Sequence, residues 1–328
     1  QTYYAQLCLV QVGDGRTNIC VDTLALEPAP LFEFLARPAL TKVFHSAGQD
    51  LELFVQRAGD CPRPLFDTQI AAALLGHGEQ LGYAALVERR LGEKVDKSLS
   101  RTNWAGRPLP QPALDYAADD VRHLAVLYPE LRQELEQRGR LAWLEEECAR
   151  MCDADRYRPR PEQAFRSVKG LARLAPEAQH RVARLAAWRE EEAIRRNRPR
   201  RWILEDAALC QLATRQPKTA ADLGGIEGVS AKLIARAGED LLALVHEPVA
   251  DSVPLATDLR PTAEQRQRIQ ALLDALRLIA EKEQIAQTLM ATRSDIEALA
   301  REGAAAQIPL LRGWRRAVAG EALLAIVP

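Results

Sequence analysis

The chain has 328 residues, of which 47% are hydrophobic, 27% charged and 5% aromatic, a soluble globular composition spread over more length than one ordinary core holds. Two or three domains are therefore expected. A formal net charge of -1 excludes the overall basic field of many nucleic-acid binders and leaves that role to local charge clusters.

Residues 1 to about 150 alternate short β-rich runs with helical ones. Tyr4 to Val12 reads as a strand, and Gly13-Asp14-Gly15 turns it into a second strand over Thr17 to Asp22. A short helix starts at Leu31 after Pro28 and Pro30. Thr41 to His45 is a third strand, which Ser46-Ala47-Gly48 turns into a helix running from Gln49 to about Arg57. Helical periodicity returns at Asp67 to Leu75, at Gly82 to Leu91 and from Gln111 onward. This order predicts a mixed sheet with helices on its faces, an α/β domain. Ligands in such sheets gather at the carboxyl ends of strands, where His45 to Asp50 stand.

Between Asp153 and Gln163 the sequence turns charged and proline-bearing, and strand signal all but ends after it, which reads as a linker. Four or five amphipathic helices follow from Phe165 to Val245, the clearest over Glu177 to Asn197. Pro248 to Pro261 is a second connection, and Thr262 to Val327 is helical again. The two helical segments share a size and rhythm that suggest a duplicated module. Arg195, Arg196, Arg198, Arg200 and Arg201 cluster beside Trp202, the combination that phosphate neutralisation and base stacking require. The competing reading is a solvated helix end, offset by Glu190 to Glu192 and suited to the helix dipole.

The six cysteines, Cys8, Cys20, Cys61, Cys148, Cys152 and Cys210, lack the paired spacing of a zinc site and read as reduced thiols of a cytoplasmic protein. Cys148 and Cys152, one helical turn apart, read as packing. No apolar run approaches the roughly 20 residues of a membrane span, and no signal-peptide pattern opens the chain. Its first residue is Gln1 rather than Met, which points to a segment upstream.

The most informative stretch is Leu114 to Leu124. Leu114, Val121 and Leu124 form an apolar stripe, while Tyr116 and Asp120, four residues apart, share one helix face with both oxygens pointing the same way. A phenol beside a carboxylate suits a divalent cation and a water. Two further polar clusters, His45 to Asp50 and Asp67-Thr68-Gln69, occupy element junctions.

The phrases Thr2-Tyr3-Tyr4, Phe44-His45-Ser46 with Asp50, Phe66-Asp67-Thr68-Gln69, Lys97-Ser98 through Arg101-Thr102-Asn103-Trp104 to Arg107-Pro108-Leu109, and Tyr116-Ala117-Ala118-Asp119-Asp120 together resemble the ribonuclease D family, DEDD-type exonucleases. The resemblance implies an α/β ribonuclease H-like exonuclease domain over 1–152 followed by two all-α HRDC-like domains, 164–247 and 262–328, joined by linkers 153–163 and 248–261. It implies 3′–5′ trimming of tRNA precursors and other small structured RNAs by a monomeric enzyme, through two-metal hydrolysis that releases nucleoside 5′-monophosphates. Asp50, Tyr116 and Asp120 match catalytic positions of its second and third motifs, with Asp50 and Asp120 as ligands of two Mg²⁺ or Mn²⁺ ions. Such hard cations prefer carboxylate and water oxygens over Cys or His. A tyrosine with an ordinary pKa near 10 is a poor base at neutral pH, so Tyr116 is assigned to orienting the water. His45, Lys97, Arg101 and Arg107 are candidate substrate contacts, with a loop-anchoring role as the alternative for Arg107 and a structural one for His45. Asn103 stands where the family usually has Asp.

The family's first motif, an Asp-x-Glu on an opening strand central to the sheet, would lie upstream of Gln1. The expectation is that the complete protein is an active exonuclease while the chain as it stands binds metal weakly and turns over poorly. Two other readings are open at this stage. One is a 3′–5′ DNA exonuclease of the same superfamily, since a contact to the 2′-hydroxyl is what separates RNA from DNA. The other is a catalytically silent RNA-binding protein.

Overall fold

Two short strand pairs frame the first part of the chain. In the computed structural model, which describes residues 2–96, 98–99, 102–249, 253–255 and 261–327, β1 (Val10–Gly13) pairs antiparallel with β2 (Asn18–Val21). The turn between them is held by Asp14, whose carboxylate accepts from the Arg16 and Thr17 amides, both at 2.8 Å. Gly13 lies where a Cβ would come within 3.3 Å of Val121 and 2.5 Å of the Asn18 side chain, so the glycine admits a helix against the hairpin. The second pair, β3 (Lys42–Phe44) with β4 (Leu65–Asp67), is parallel.

The predicted strands therefore form, but the single mixed sheet is replaced by two separate pairs among the described residues. The strand expected from Tyr4 is confined to its last residues, because β2 offers hydrogen-bonding partners only to Val10–Gly13. The β4 strand was hidden in the sequence: it is three residues long, buried throughout and directly followed by a helix, so it has no alternation to read.

Helices α1 (Ala29–Leu35), α2 (Gly48–Ala58), α3 (Thr68–Leu74), α4 (Tyr83–Leu91), α5 (Gln111–Arg122), α6 (Leu124–Gln137) and α7 (Leu141–Met151) complete this part. α5 packs on β1 and β2, whereas α6 packs on β3 and α3. The next part contains α8 (Pro176–Arg195), α9 (Arg200–Ile203), α10 (Asp206–Arg215), α11 (Ala220–Gly224) and α12 (Ala231–His246). Short 3₁₀ turns at Ala154–Arg156, Pro161–Ser167 and Leu171–Arg173 precede them, so the stretch read as a linker is partly ordered. The last part contains α13 (Ala263–Glu283), α14 (Gln287–Met290) and α15 (Arg293–Glu302). Thr262 starts α13 with a reciprocal capping box to Gln265.

The chain divides into two compact units, Gln1–Ala5 with Pro159–Arg260 and Gln6–Arg158 with Pro261–Pro328. The sequence reading set 262–328 apart as its own module; in the structure its helices share a core with the α/β part. Leu74, Leu127, Leu131 and Leu144 are continuous with Leu272, Leu276, Ile296 and Leu299. This packing includes a buried charge. Arg315 donates to both oxygens of Glu147, Trp314 Nε1 donates to the same carboxylate at 2.9 Å, and Trp314 stacks on Trp143 at 4.8 Å between centroids. A buried carboxylate with this many donors has its desolvation offset, and it fixes how the two segments dock.

In the other unit, α8 and α10 enclose Leu185, Leu209 and Leu212. The buried Arg189 donates to Asp206 at 2.8 Å and to the Leu204 carbonyl at 3.0 Å. All six cysteines are free thiols, and the spacing of Cys148 and Cys152 serves packing, both being buried.

Candidate active site

Asp50 lies in the first turn of α2, and its position is set by a clamp two elements away. Asp67, fully buried at the end of β4, accepts from the Gln69 and Ile70 amides at 2.8 and 3.2 Å as the N-cap of α3. The same carboxylate reaches across to accept from the Ser46 and Ala47 amides at 3.2 and 2.7 Å. Ser46 adopts a left-handed φ of 60°, which a non-glycine residue holds only where its surroundings impose it. Asp67 thus ties the β3–α2 turn to the start of α3 and aims the helix that bears Asp50. The Asp-Thr-Gln sequence signals the cap. Nothing local signals the reach to Ser46 and Ala47.

Asp50 is reached by solvent, yet enough protein surrounds it that desolvation, with the charge of Asp67 adding, pushes it up to about 6. Asp120, near the end of α5 and partly exposed, is likewise pushed up to about 6 by burial and then by neighbouring Asp119. Tyr116, one turn earlier, has its phenol raised by burial and by the charges of Asp120 and Asp96. It therefore stays protonated at neutral pH, with a hydroxyl able to donate a hydrogen bond.

The ring of Tyr116 stacks on Trp104 with centroids 6.2 Å apart. Trp104 is held in turn by Arg107, whose guanidinium uses all five donors internally: two on Asp22 (2.7 and 2.6 Å), and three on the carbonyls of Trp104, Gly106 and Cys8 (2.7, 2.7 and 2.9 Å). No N–H of Arg107 is left for a phosphate, which corrects the expectation of a substrate contact in favour of the loop anchor.

His45 is corrected in the same way. Thr68 Oγ1 donates to the Phe44 carbonyl at 3.0 Å, so at 2.9 Å it accepts from His45 Nδ1, and Nε2 is buried without a partner. Burial lowers the pKa of the ring and keeps it neutral. Its edge meets Tyr83 at 5.7 Å. The Tyr83 hydroxyl donates to the Asp119 carbonyl at 3.2 Å and lies 3.2 Å from His123 Nδ1, while His123 Nε2 lies 3.1 Å from Glu93. Tyr83 therefore touches both the turn before Asp50 and the backbone beside Asp120. Tyr83, His123 and Glu93 escaped the sequence reading, since their partners lie 30 to 40 residues away.

Of the basic cluster, Arg195 is bonded to Glu192 and Arg200 to the buried Glu190, which also accepts from the Tyr3 hydroxyl. Arg198 lies over the exposed Trp202 ring at 5.8 Å, and Arg201 is exposed. Arg196 is partly exposed. Lys97 and Arg101 lie outside the described residues.

Asp50 and Asp120 carry carboxylates, the kind of hard oxygen donor that divalent cations take, and burial is the largest cause of the raised pKa of each. Among the described residues, no three His, Cys, Asp or Glu side chains converge as a metal site. No helix among these residues is long and apolar enough to cross a membrane.

Residues 1–136 match a family model for 3′-5′ exonuclease domains, and residues 178–245 match the HRDC domain. The chain is 40% identical to ribonuclease D of Granulibacter bethesdensis over 99% of this chain and 84% of that protein. It is 38% identical to ribonuclease D of Pseudomonas paraeruginosa over 98% and 88%. Among solved structures, it superposes on Escherichia coli RNase D, described as an exoribonuclease involved in structured RNA processing, with a TM-score of 0.88 and 31% identity over 99% of this chain and 89% of that one.

Proposed function

Because the chain belongs to the ribonuclease D family, we propose that it is a 3′–5′ exoribonuclease that shortens tRNA precursors and other small structured RNAs one nucleoside 5′-monophosphate at a time. The observation that carries the assignment of its centre is the α5 face on which Tyr116 and Asp120 sit one turn apart, Asp120 sharing with Asp50 a pKa pushed up to about 6. Carboxylates ionised at neutral pH repel a phosphodiester unless cations intervene.

Asp50 and Asp120 would hold divalent metal, Mg²⁺ or Mn²⁺, which in this chemistry acidifies a water and neutralises the leaving oxygen. The protein's own groups divide the remaining work. Tyr116 donates its phenolic proton in a hydrogen bond that orients the attacking water; with its pKa raised, it does not remove a proton. Trp104 fixes the Tyr116 ring, and the Arg107–Asp22 pair fixes the loop that carries Trp104. Asp67 holds the turn that places Asp50. Arg196, Arg198 and Arg201 with Trp202 supply substrate contacts on the helical unit, and the enzyme works as a cytoplasmic monomer.

The test is release of mononucleotides from a 3′-extended RNA in Mn²⁺, beside a DNA of the same sequence. RNA hydrolysis that Asp50→Ala and Asp120→Ala each abolish is the expected result. Preferred hydrolysis of DNA supports the deoxyribonuclease reading instead. Activity unchanged by Asp120→Ala refutes the assigned centre.

A further inference from the structure

In the helical unit Pro159–Arg260, Arg184, Arg189, Arg195, Arg200 and Arg236 each face a carboxylate. Other cations of the unit do not, and three of these lie close together in sequence. Arg166, Lys169 and Arg173 are exposed, and among the described residues none has a carboxylate partner for its side chain. All three line one hollow of about 770 Å³, together with Phe165, Gly170 and Leu171.

The chemistry of this lining is selective. Among the described residues, which also contribute Val168, Ala172 and Leu255, no acidic side chain lines it. The nearby Asp206, which accepts from the Lys169 amide at 3.2 Å, is already neutralised by Arg189 at 2.8 Å. Phe165 presents an aromatic ring beside the Arg166 guanidinium, 6.0 Å from its centroid. Gly170 has a φ of +90°, which favours glycine, and a Cβ built there meets nothing within 4 Å. The lining therefore combines open backbone at Gly170 and apolar side chains with three cations that have no carboxylate partner among the described residues.

We propose that this hollow, formed by the 3₁₀ turns Pro161–Ser167 and Leu171–Arg173 ahead of the matched HRDC region, is a binding site for single-stranded RNA. Arg166, Lys169 and Arg173 neutralise consecutive backbone phosphates, and a base rests against Phe165. The charge favours a polyanion, and an aromatic beside unpaired cations matches the sequence-tolerant way in which single strands are held. The site lies apart in sequence from the Arg195–Arg201 cluster, and it rests on the reading of RNA as substrate.

The test measures binding of a fluorescent 20-nucleotide unstructured RNA to the full chain by anisotropy, in EDTA so that nothing is hydrolysed, over a range of salt. The triple variant R166E/K169E/R173E is compared with R277E/R293E/R301E, which makes the same charge change at exposed arginines that are paired with glutamates elsewhere. Losing three phosphate contacts should weaken binding more than tenfold and flatten the slope of log K against log salt by about 2, at about 0.7 per contact on a single strand. The control triple should keep the wild-type slope. F165L, checked for a wild-type melting temperature, should weaken binding several-fold with no change in slope.

A first triple that binds with the wild-type constant and slope overturns the site, as does a control triple that loses as much. A wild-type chain that binds no RNA overturns it too. The exoribonuclease reading fails separately, through the Asp50 and Asp120 variants.

Discussion

Replacing Asp67 by alanine should loosen the protein at two places at once. The carboxylate caps α3 through the Gln69 and Ile70 amides and holds the Ser46 and Ala47 amides of the turn before α2. Loss of an N-cap costs about 1 kcal/mol. Ala47 is fully buried, so its N–H is left without a partner, which costs about 1–3 kcal/mol. The sum, about 2–4 kcal/mol, corresponds to a fall in melting temperature of about 5–15 °C for a unit of this size. Asp67→Ser separates the two parts, since a serine at this position caps α3 but does not span to Ala47, and it should recover only the cap's share. Urea denaturation followed by circular dichroism measures both variants. If Asp67→Ala unfolds within 0.5 kcal/mol of wild type on the scale of these terms, the clamp contributes no stability and the account of how Asp50 is aimed fails. Activity adds a second reading: at a temperature where both variants are folded, Asp67→Ser should still lose turnover, because the turn is released even when the helix is capped.

Other substitutions probe the site's charge and its supports. Asp50→Asn and Asp120→Asn should each abolish nuclease activity yet raise stability slightly at pH 7.5 in EDTA. The sign follows from the shifts. A carboxylate raised to about 6 in the folded chain binds its proton more tightly there than in the unfolded chain, near 3.9, so stability falls as pH rises from about 4 through 6. Both groups are partly open to water, which limits the gain to about 1 kcal/mol or less each; melting curves at pH 4.5 and 7.5 should show it at the higher pH alone. Arg315→Ala should cost about 1–3 kcal/mol, since the buried Glu147 loses two donors but keeps Arg150 and Trp314, and a urea midpoint equal to wild type would refute that reading. Tyr116→Phe keeps the stack on Trp104 and removes only the hydroxyl, so turnover should fall at least tenfold while the melting temperature holds; equal turnover would remove Tyr116 from the chemistry.

What could be read from the sequence follows from the range of each interaction. Tyr116 and Asp120 are related by one helical turn, so their shared face is a local property and periodicity revealed it. The Asp14 turn and the Thr262 cap are local in the same sense. Arg200 looked like a free cation because its partner, Glu190, lies ten residues back on another helix. The arginine run was an incomplete guide to where phosphates can bind, since a charge counts only after its neutralising partners have been found. Arg107 is the sharper case: five acceptors drawn from three separate stretches of chain turn a candidate phosphate ligand into a structural tie. Asp67 combines both situations. As a cap it is local and legible, but its second pair of donors is brought in by the parallel β3–β4 pairing. That pairing has a further effect, because the charge of Asp67 is one of the causes that raise Asp50. An uncharged cap would relieve Asp50, but it would not accept four amide protons across two elements. The residue that positions the first carboxylate thus also adds, after the larger effect of burial, to the pKa it holds.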